Sequence, residues 1–267
     1  MKPISLPFPS SMLDFSEKIT AIVPIHHGRH YQSVYILEVN TAEKYVMKIK
    51  KTEYAGSLYE EAERLNWMKG KLPVPEVIRY YKEHDKEYLV MSYIEGCVGS
   101  EYQHLDGEKS LGFVLGEGLR KIHRVGIDQC PFKAFLPENL ISMVKNNIEH
   151  HFDQVTEVIN RAFPDETLEQ LMDFLEINRP LDNELVFTHG DYGSGNVIIH
   201  NGELNAFIDV DGAGVSDPYY DIYYLIKSLT QYSDRHEEVP GFLKGYGINE
   251  LDQQKMKFHQ IIDVLLL

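Results

Sequence analysis

A hairpin motif constrains this chain more than any other feature of its sequence. Residues 187–212 read FTHGDYGSGNVIIHNGELNAFIDVDG. Asn201 and Gly202 favour a two-residue turn, because both residue types tolerate the positive φ that such turns require. The flanking apolar runs, NVII and LNAFI, then predict two antiparallel strands. The fold-back is expected to bring Asn196 and Asp209 to the same end of the hairpin.

The polar residues around this hairpin indicate a particular chemistry. The amide oxygen of Asn196 and the carboxylate of Asp209 are hard ligands that suit Mg²⁺. Asp191 lies upstream in a glycine-rich loop, where it is able to face whatever the metal holds. One acid that orients a hydroxyl, together with two metal ligands, is what phosphoryl transfer requires. A purely structural loop followed by a hairpin is the alternative. Gly190, where protein kinases carry Arg, points away from protein kinases proper.

Composition and charge narrow the function classes. The chain has 267 residues, 43% hydrophobic and 25% charged, as is ordinary for a soluble globular protein. No apolar run approaches the ~18 residues of a membrane span, and the N-terminus lacks the apolar core of a signal peptide, so a cytoplasmic location is expected. The net charge of −15 disfavours nucleic acid and anionic lipid as partners and permits a cationic substrate. The two cysteines, Cys97 and Cys130, lack metal-ligand spacing and are expected to be reduced.

The hydrophobic pattern of the chain changes from strand-like to helical after about ninety residues. Its first part alternates apolar strands with one clear helix at 55–69, whereas later segments such as SLGFVLGEGLRKIHRV show helical spacing. We therefore expect an α+β protein with a small β-rich N-terminal lobe and a larger, mainly α C-terminal lobe. The predicted boundaries are 1–92 for the nucleotide-binding lobe, 93–97 for a hinge and 98–267 for the catalytic and substrate-binding lobe.

A lysine and a glutamate in the first part form a predicted pair. Lys48 stands inside the strand YVMKIKK between two apolar neighbours, although a single strand lysine more often snorkels to solvent. In the following helix, Glu61 alone among three glutamates falls on the apolar stripe. Because an unpaired buried carboxylate is costly, Glu61 is expected to pair with Lys48.

The segment HHGRHYQSVY is the candidate nucleotide loop. It contains a single glycine, Gly28, so it is neither the Gly-rich loop of protein kinases nor a P-loop. Backbone N–H groups between Gly28 and Ser33 are nevertheless able to cover phosphates. The three histidines of this segment are interpreted as solvated rather than as metal ligands, because no acid or cysteine completes a ligand set.

Nearly the whole chain resembles the aminoglycoside phosphotransferases, specifically the kanamycin-kinase type that modifies the 3′-hydroxyl. The similarity lies in stretches such as EEAERLNWMKGKLPVPEV, LVMSYIEG, ELVFTHGDYGSGNVII and NGELNAFIDVDGAGVSDPYYDI. The signature HGDxxxxN followed by IDxxxxGxxDxxxD is filled by His189, Asp191, Asn196, Asp209, Gly214, Asp217 and Asp221. A protein-kinase-like fold, ATP and Mg²⁺ follow from this resemblance as expectations.

The resemblance also implies roles for individual residues. Asp191 becomes the catalytic base, Asn196 and Asp209 become Mg²⁺ ligands, and Lys48, held by Glu61, contacts the nucleotide's phosphates. Further implied roles are adenine contacts from the backbone of Ser92–Ile94, a pocket lining by Met91, and bracing of the catalytic loop by Asp217.

The substrate is less constrained than the reaction. An acidic C-terminal lobe suits a polycationic aminoglycoside, and candidate acids for it are Asp153, Glu157, Asp165 and Asp263, although a solvated helix face explains the first three equally well. The chain ends in IIDVLLL, without the neighbouring acid and terminal aromatic residue common in the family. A same-fold kinase of a macrolide, a sugar or an amino alcohol is the alternative enzyme, and a non-catalytic nucleotide-binding module is the third possibility.

Overall fold

The structure is a computed structural model that describes residues 18–25, 32–104, 109–133, 135–181 and 184–266. Its strands concentrate in the first hundred residues and its helices in the remainder. The predicted α+β class, with a β-rich N-terminal part and a mainly helical remainder, is therefore confirmed.

The N-terminal part consists of five strands and one helix. The elements are β1 (Ile19–Ile25), β2 (Gln32–Val39), β3 (Lys44–Lys51), α1 (Leu58–Met68), β4 (Val77–Glu83) and β5 (Lys86–Ser92). The strands form one antiparallel sheet in the order β1-β2-β3-β5-β4. Helix α1 begins after Ser57, whose hydroxyl accepts the backbone N–H of Tyr59.

The remaining elements of the described ranges include short strands and six α-helices. They are β6 (Cys97–Val98), α2 (Leu111–His123), α3 (Pro137–Ala162), α4 (Leu168–Ile177), β7 (Val186–Thr188), β8 (Val197–His200), β9 (Glu203–Phe207), β10 (Gly214–Ser216), α5 (Pro218–Lys227), α6 (Val239–Tyr246) and α7 (Gln253–Leu265). Strand β10 pairs with β7, and a further sheet has the order β6-β8-β9. The turn between β8 and β9 has positive φ at Asn201 (51°) and Gly202 (74°), as the sequence predicts.

The chain divides into two compact units. The first ends at Cys97 and also takes Asn205–Asp211, and the second comprises Val98–Leu204 and the residues from Gly212 onward. The return of Asn205–Asp211 to the first unit was not part of the sequence prediction. It brings Asp209 into the same unit as Lys48.

Cross-strand register determines which side chains share a face of the N-terminal sheet. Lys48 lies opposite Leu89, and Lys50 lies opposite Glu87. Directly opposed residues point to the same face of a sheet, and residues two apart along a strand do so as well. Both lysines and Glu87 therefore share one face, while Met47 and Val90 pack on the other with Leu37 and Tyr88.

One core cluster of the second unit is built from α3, α4, α5 and α7. Leu140, Val144 and Ile159 of α3 pack with buried leucines of α4 and with Phe258, Ile261 and Ile262 of α7. Helix α3 is kinked at His151, where φ and ψ are non-helical (−136° and 36°).

Two helices, α3 and α6, were not predicted from the sequence. In α3 the buried apolar positions fall into two groups, Leu140–Val144 and Val155–Ile159, separated by a polar stretch and the kink. Helix α6 carries a proline and two glycines within eight residues and gains its stability from packing rather than from intrinsic propensity.

The chain has no membrane-spanning candidate within the described ranges, because no helix there is both long and apolar enough.

Helices α2 and α6 approach each other through glycines. A Cβ atom at Gly116 would overlap the backbone oxygen of Phe242, and one at Gly245 would overlap the backbone oxygen of Phe113. Such close backbone approach leaves no room for any side chain at these positions.

We expect Gly116→Ala to lower the free energy of unfolding by about 1–3 kcal/mol, because the added methyl group overpacks a backbone contact. An alanine in an open helix would have the opposite effect. Urea unfolding of the variant measures the change. Gly126→Ala is the matched control, since nothing lies within 4 Å of a Cβ atom at Gly126. Equal midpoints for both variants would contradict this packing account.

Candidate active site

Lys48 is the centre of the polar cluster in the first unit. Its side chain is 6% exposed, and its Nζ lies 2.5 Å from Oε1 of Glu61. The same ammonium also donates to Oδ1 of Asp209. The predicted pairing of Lys48 with Glu61 is therefore confirmed, and three segments distant in sequence converge on one buried cation.

Two carboxylates that share one lysine shift the pKa values of the cluster. Burial lowers the pKa of Lys48, but the adjacent charges of Glu61 and Asp209 outweigh it and hold this pKa above its usual range. Burial raises the pKa of Glu61; Lys48 opposes this change, and Asp209 adds to it. Lys48 therefore stays protonated.

Local structure places the two acids. Glu61 is buried on α1 together with Leu58, Ala62, Leu65 and Met68, as the stripe predicts. Asp209 follows β9 and has φ of 55°, in the left-handed region that non-glycine residues seldom adopt. Its side chain is 45% exposed, so it is accessible to a further ligand.

Asp191 and Asn196 lie close together in the second unit. The Nδ2 of Asn196 donates to the backbone oxygen of Asp191 at 2.7 Å and lies 3.3 Å from its Oδ2. Asp191 is exposed, whereas its neighbour Tyr192 is buried and donates to the backbone oxygen of Leu115. The loop thus anchors one side chain in the core and presents the next acid to the surface.

A buried carboxylate on α5 holds the backbone of this loop. The Oδ2 of Asp221 accepts the N–H of His189 at 2.7 Å, and its Oδ1 accepts the N–H of Gly190 at 2.9 Å. The expectation that Asp217 braces the loop is wrong. Asp217 instead caps α5 through the N–H of Tyr219 and lies 2.7 Å from Nε2 of His259.

The sequence analysis did not identify the residues that contact Asp221 from the other side. The Nε2 of His123 lies 3.3 Å from Oδ2 of Asp221, and the Nδ1 of His123 lies 2.8 Å from the hydroxyl of Tyr246. An ionised carboxylate only accepts hydrogen bonds, so His123 donates from Nε2 and, when neutral, accepts from Tyr246. The HGD signature gives no hint of partners this distant in sequence.

Gly190 is required by a close backbone approach. Its φ is 82°, and a Cβ atom there would overlap the backbone oxygen of Gly212. The loop that carries Asp191 is therefore packed directly against the backbone of residue 212. This contact explains why glycine occupies the central position of HGD.

The other residues predicted to bind the nucleotide occupy different environments. Gly28 lies outside the described residues. Ser33 is exposed on β2, and Met91 is 4% exposed on β5. Ser92 exchanges two hydrogen bonds with Glu76, and Ile94 is half-buried beyond the end of β5. The described contacts of these four residues do not by themselves indicate a nucleotide site.

The four predicted substrate acids also differ among themselves. Asp153 and Glu157 are exposed four residues apart on α3, and therefore share a helix face. Asp165 lines a groove of about 410 Å³ together with residues such as Thr156, Asn160 and Thr167. Asp263 is paired internally: Lys227 Nζ lies 2.5 Å from its Oδ2, and the hydroxyl of Tyr223 donates to the same oxygen at 3.0 Å.

We expect Asp221→Asn to lower the free energy of unfolding by about 1–3 kcal/mol, because an amide NH₂ replaces one acceptor of a buried backbone N–H. Urea unfolding measures this loss, and any enzymatic turnover should fall as well because the backbone next to Asp191 loses its anchor. Asp173→Asn, at an exposed position on α4, serves as the control. An unchanged unfolding midpoint for Asp221→Asn would show that the two N–H groups do not depend on this carboxylate.

The sequence is similar to those of several aminoglycoside 3′-phosphotransferases. The aminoglycoside 3′-phosphotransferase of Niallia circulans is 35% identical over 221 residues, which cover 81% of this chain and 82% of that protein. The aminoglycoside 3′-phosphotransferase of Enterococcus faecalis is 29% identical over 85% of this chain and 87% of its own length.

Solved structures share the fold at lower identity. An aminoglycoside-3′-phosphotransferase of type VIII matches with a TM-score of 0.69 and 23% identity over 92% of this chain and 93% of its own. An aminoglycoside phosphotransferase of Streptomyces rimosus, in complex with ADP and streptomycin, matches with a TM-score of 0.67 and 21% identity over 96% and 97%. The model of the phosphotransferase enzyme family matches residues 21–259, so the chain belongs to this family of enzymes.

Proposed function

We propose that this protein transfers the γ-phosphoryl group of ATP to a hydroxyl of an aminoglycoside, namely the 3′-hydroxyl, and thereby confers resistance. The observation that carries the proposal is the buried ammonium of Lys48, shared by Glu61 and Asp209. The 35% identity to a protein named aminoglycoside 3′-phosphotransferase supports the choice of acceptor.

Asp191 is the proposed catalytic base. Its carboxylate is exposed, so a substrate hydroxyl is able to reach it and donate a hydrogen bond. As the hydroxyl oxygen attacks the γ-phosphorus, the bond to the bridging oxygen of ADP breaks and the hydroxyl proton passes to Asp191. Asp221 acts through the backbone of His189 and Gly190 and keeps this acid in place, which makes it a positioning residue.

Lys48 is the proposed phosphate contact, held in position by Glu61. A lysine that remains protonated supplies a fixed positive charge to the phosphates without a change of protonation during turnover. In the proposed division of the chain, 1–92 binds the nucleotide and 93–97 forms a hinge. Gly28, Ser33, Met91, Ser92 and Ile94 are proposed nucleotide contacts of this part.

Asp209 and Asn196 are the proposed magnesium ligands. Asp209 offers an exposed carboxylate, and Asn196 turns its amide nitrogen toward Asp191, which leaves the amide oxygen as its ligand atom. Among the described residues no group of three His, Cys, Asp or Glu side chains forms a metal cage. This donor set suits Mg²⁺, which usually takes one or two protein oxygens and completes its shell with phosphates and water. Bound there, the ion would neutralise phosphate charge.

The proposed acceptor is cationic, and the acids that would meet it are Asp153, Glu157, Asp165 and Asp263. Asp165 has the environment best suited to this role, because it is exposed at the groove between α3 and α4. Asp263 has the least suitable one, because Lys227 already neutralises it. A substrate ammonium would have to displace Lys227 before it reached Asp263.

We expect the purified protein to release ADP from Mg-ATP with kanamycin but not with a 3′-deoxy aminoglycoside. Asp191→Asn should lower kcat by about 10²–10⁴-fold, since it removes the proton acceptor and keeps the side-chain shape. A coupled ADP-release assay measures both effects, and Asp173→Asn should behave like the unmodified protein. Turnover with a macrolide alone would support the proposed phosphoryl transfer but contradict the proposed aminoglycoside acceptor. Nucleotide binding without turnover of any acceptor would overturn both.

We expect Asp165→Asn and Asp263→Asn to separate binding from stability. Asp165→Asn should raise the KM for kanamycin several-fold without changing the unfolding midpoint, because it removes one exposed charge from the groove. Asp263→Asn should chiefly lower the unfolding free energy, since it removes the charge that compensates part-buried Lys227. Steady-state kinetics and urea unfolding test the two variants. The reverse pattern would place the substrate ammonium at Asp263.

A further inference from the structure

We propose that Glu87 is a positioning residue: its carboxylate anchors the N-terminus of α1 and thereby holds Glu61 against Lys48. This inference rests on the proposed role of Lys48 in nucleotide binding. Nothing in the sequence singled out Glu87, which lies at the second position of β5, between Lys86 and Tyr88.

Glu87 accepts hydrogen bonds from two donors at the start of α1. Its Oε2 accepts the backbone N–H of Leu58 at 2.7 Å. The hydroxyl of Ser57 lies 3.1 Å from Oε1 and 2.9 Å from Oε2. A carboxylate at this end of a helix satisfies donors that have no intrahelical partner and complements the positive end of the helix dipole.

Neighbouring strands of the sheet also restrict the position of Glu87. It lies opposite Lys50 of β3 and opposite Lys82 of β4, whose Nζ is 3.7 Å from Oε1. Lys50 is only 5% exposed, and its ammonium donates to the backbone oxygen of Ala55, two residues before Ser57. Two side chains of the sheet therefore hydrogen-bond to the segment before α1: Lys50 binds Ala55, and Glu87 binds Ser57.

These hydrogen bonds also constrain the Lys48–Glu61 pair. Glu61 stands three residues after Leu58, so the two lie on the same face of α1 within its first turn. The N–H of Glu61 donates to the backbone oxygen of Ser57, the residue whose hydroxyl Glu87 holds. Movement of this first turn would therefore carry Glu61 away from Lys48.

The burial of Glu87 agrees with its engagement by these hydrogen-bond donors. Its side chain is 7% exposed, and a buried carboxylate requires such donors. The pKa of Tyr80 is raised to about 12, mainly by burial and then by the charge of Glu87.

The test compares Glu87→Leu and Glu87→Gln with Glu63→Gln, an exposed position on the solvent side of α1. Amide hydrogen exchange should accelerate about tenfold or more over residues 58–61 in Glu87→Leu, because a charge-assisted anchor is lost. Glu87→Gln keeps an acceptor oxygen and should accelerate exchange to a smaller extent. Glu63→Gln should leave exchange unchanged. AMP-PNP affinity, measured by calorimetry, should fall several-fold in Glu87→Leu.

A double-mutant cycle with Glu61→Gln distinguishes positioning from general stability. If Glu87 acts through Glu61, Glu87→Leu should add almost nothing to the AMP-PNP affinity loss of Glu61→Gln. Fully additive losses, or unchanged exchange over residues 58–61, would overturn the proposal. If Glu87→Leu does not fold, unchanged exchange in Glu87→Gln overturns it instead. These readouts need no acceptor substrate, so failure of the proposed aminoglycoside activity remains a separate result.

Discussion

The interaction on which the first unit depends is the contact of one buried ammonium with two carboxylates. Lys48 comes from a strand, Glu61 from the helix after it, and Asp209 from a segment 161 residues further along the chain. Burying an unpaired ion is costly, so Lys48 and Glu61, which are both buried, each require a partner. These two ion pairs link α1 to the sheet and tie the segment Asn205–Asp211 to the first unit.

The same device, a buried carboxylate that accepts backbone N–H groups, recurs at three places. Asp221 holds the loop before Asp191, Glu87 holds the start of α1, and Glu238 accepts the N–H of Gly112 at 2.6 Å at the start of α2. Charge-assisted bonds of this kind are short and directional. They allow loops and helix ends to be positioned by a distant part of the sequence without a large apolar surface.

The parts that the sequence predicted are those with a local signal. The apolar stripe of α1 identified Glu61, and the turn dipeptide identified the hairpin, because both depend on residues a few positions apart. Asp221, Glu87 and Lys227 were assigned no role, because their partners lie far away in the sequence and a carboxylate or ammonium alone does not reveal its partner. The kink at His151 similarly hid α3, since it separates two apolar stripes that are individually too short to indicate a long helix.

Backbone conformation at the two acids suggests why these loops have to be held so firmly. Asp209 adopts a left-handed φ of 55°, and Gly190, which directly precedes Asp191, has φ of 82°. For a non-glycine residue such a conformation costs about 1 kcal/mol or more and persists only when the surroundings impose it. Lys48 imposes it at Asp209, while Asp221 and the contact with Gly212 fix the backbone before Asp191. In the proposed mechanism, an acid oriented in this way does not have to reorganise when charge develops during phosphoryl transfer, and a reaction governed by positioning and electrostatics requires such preorganisation.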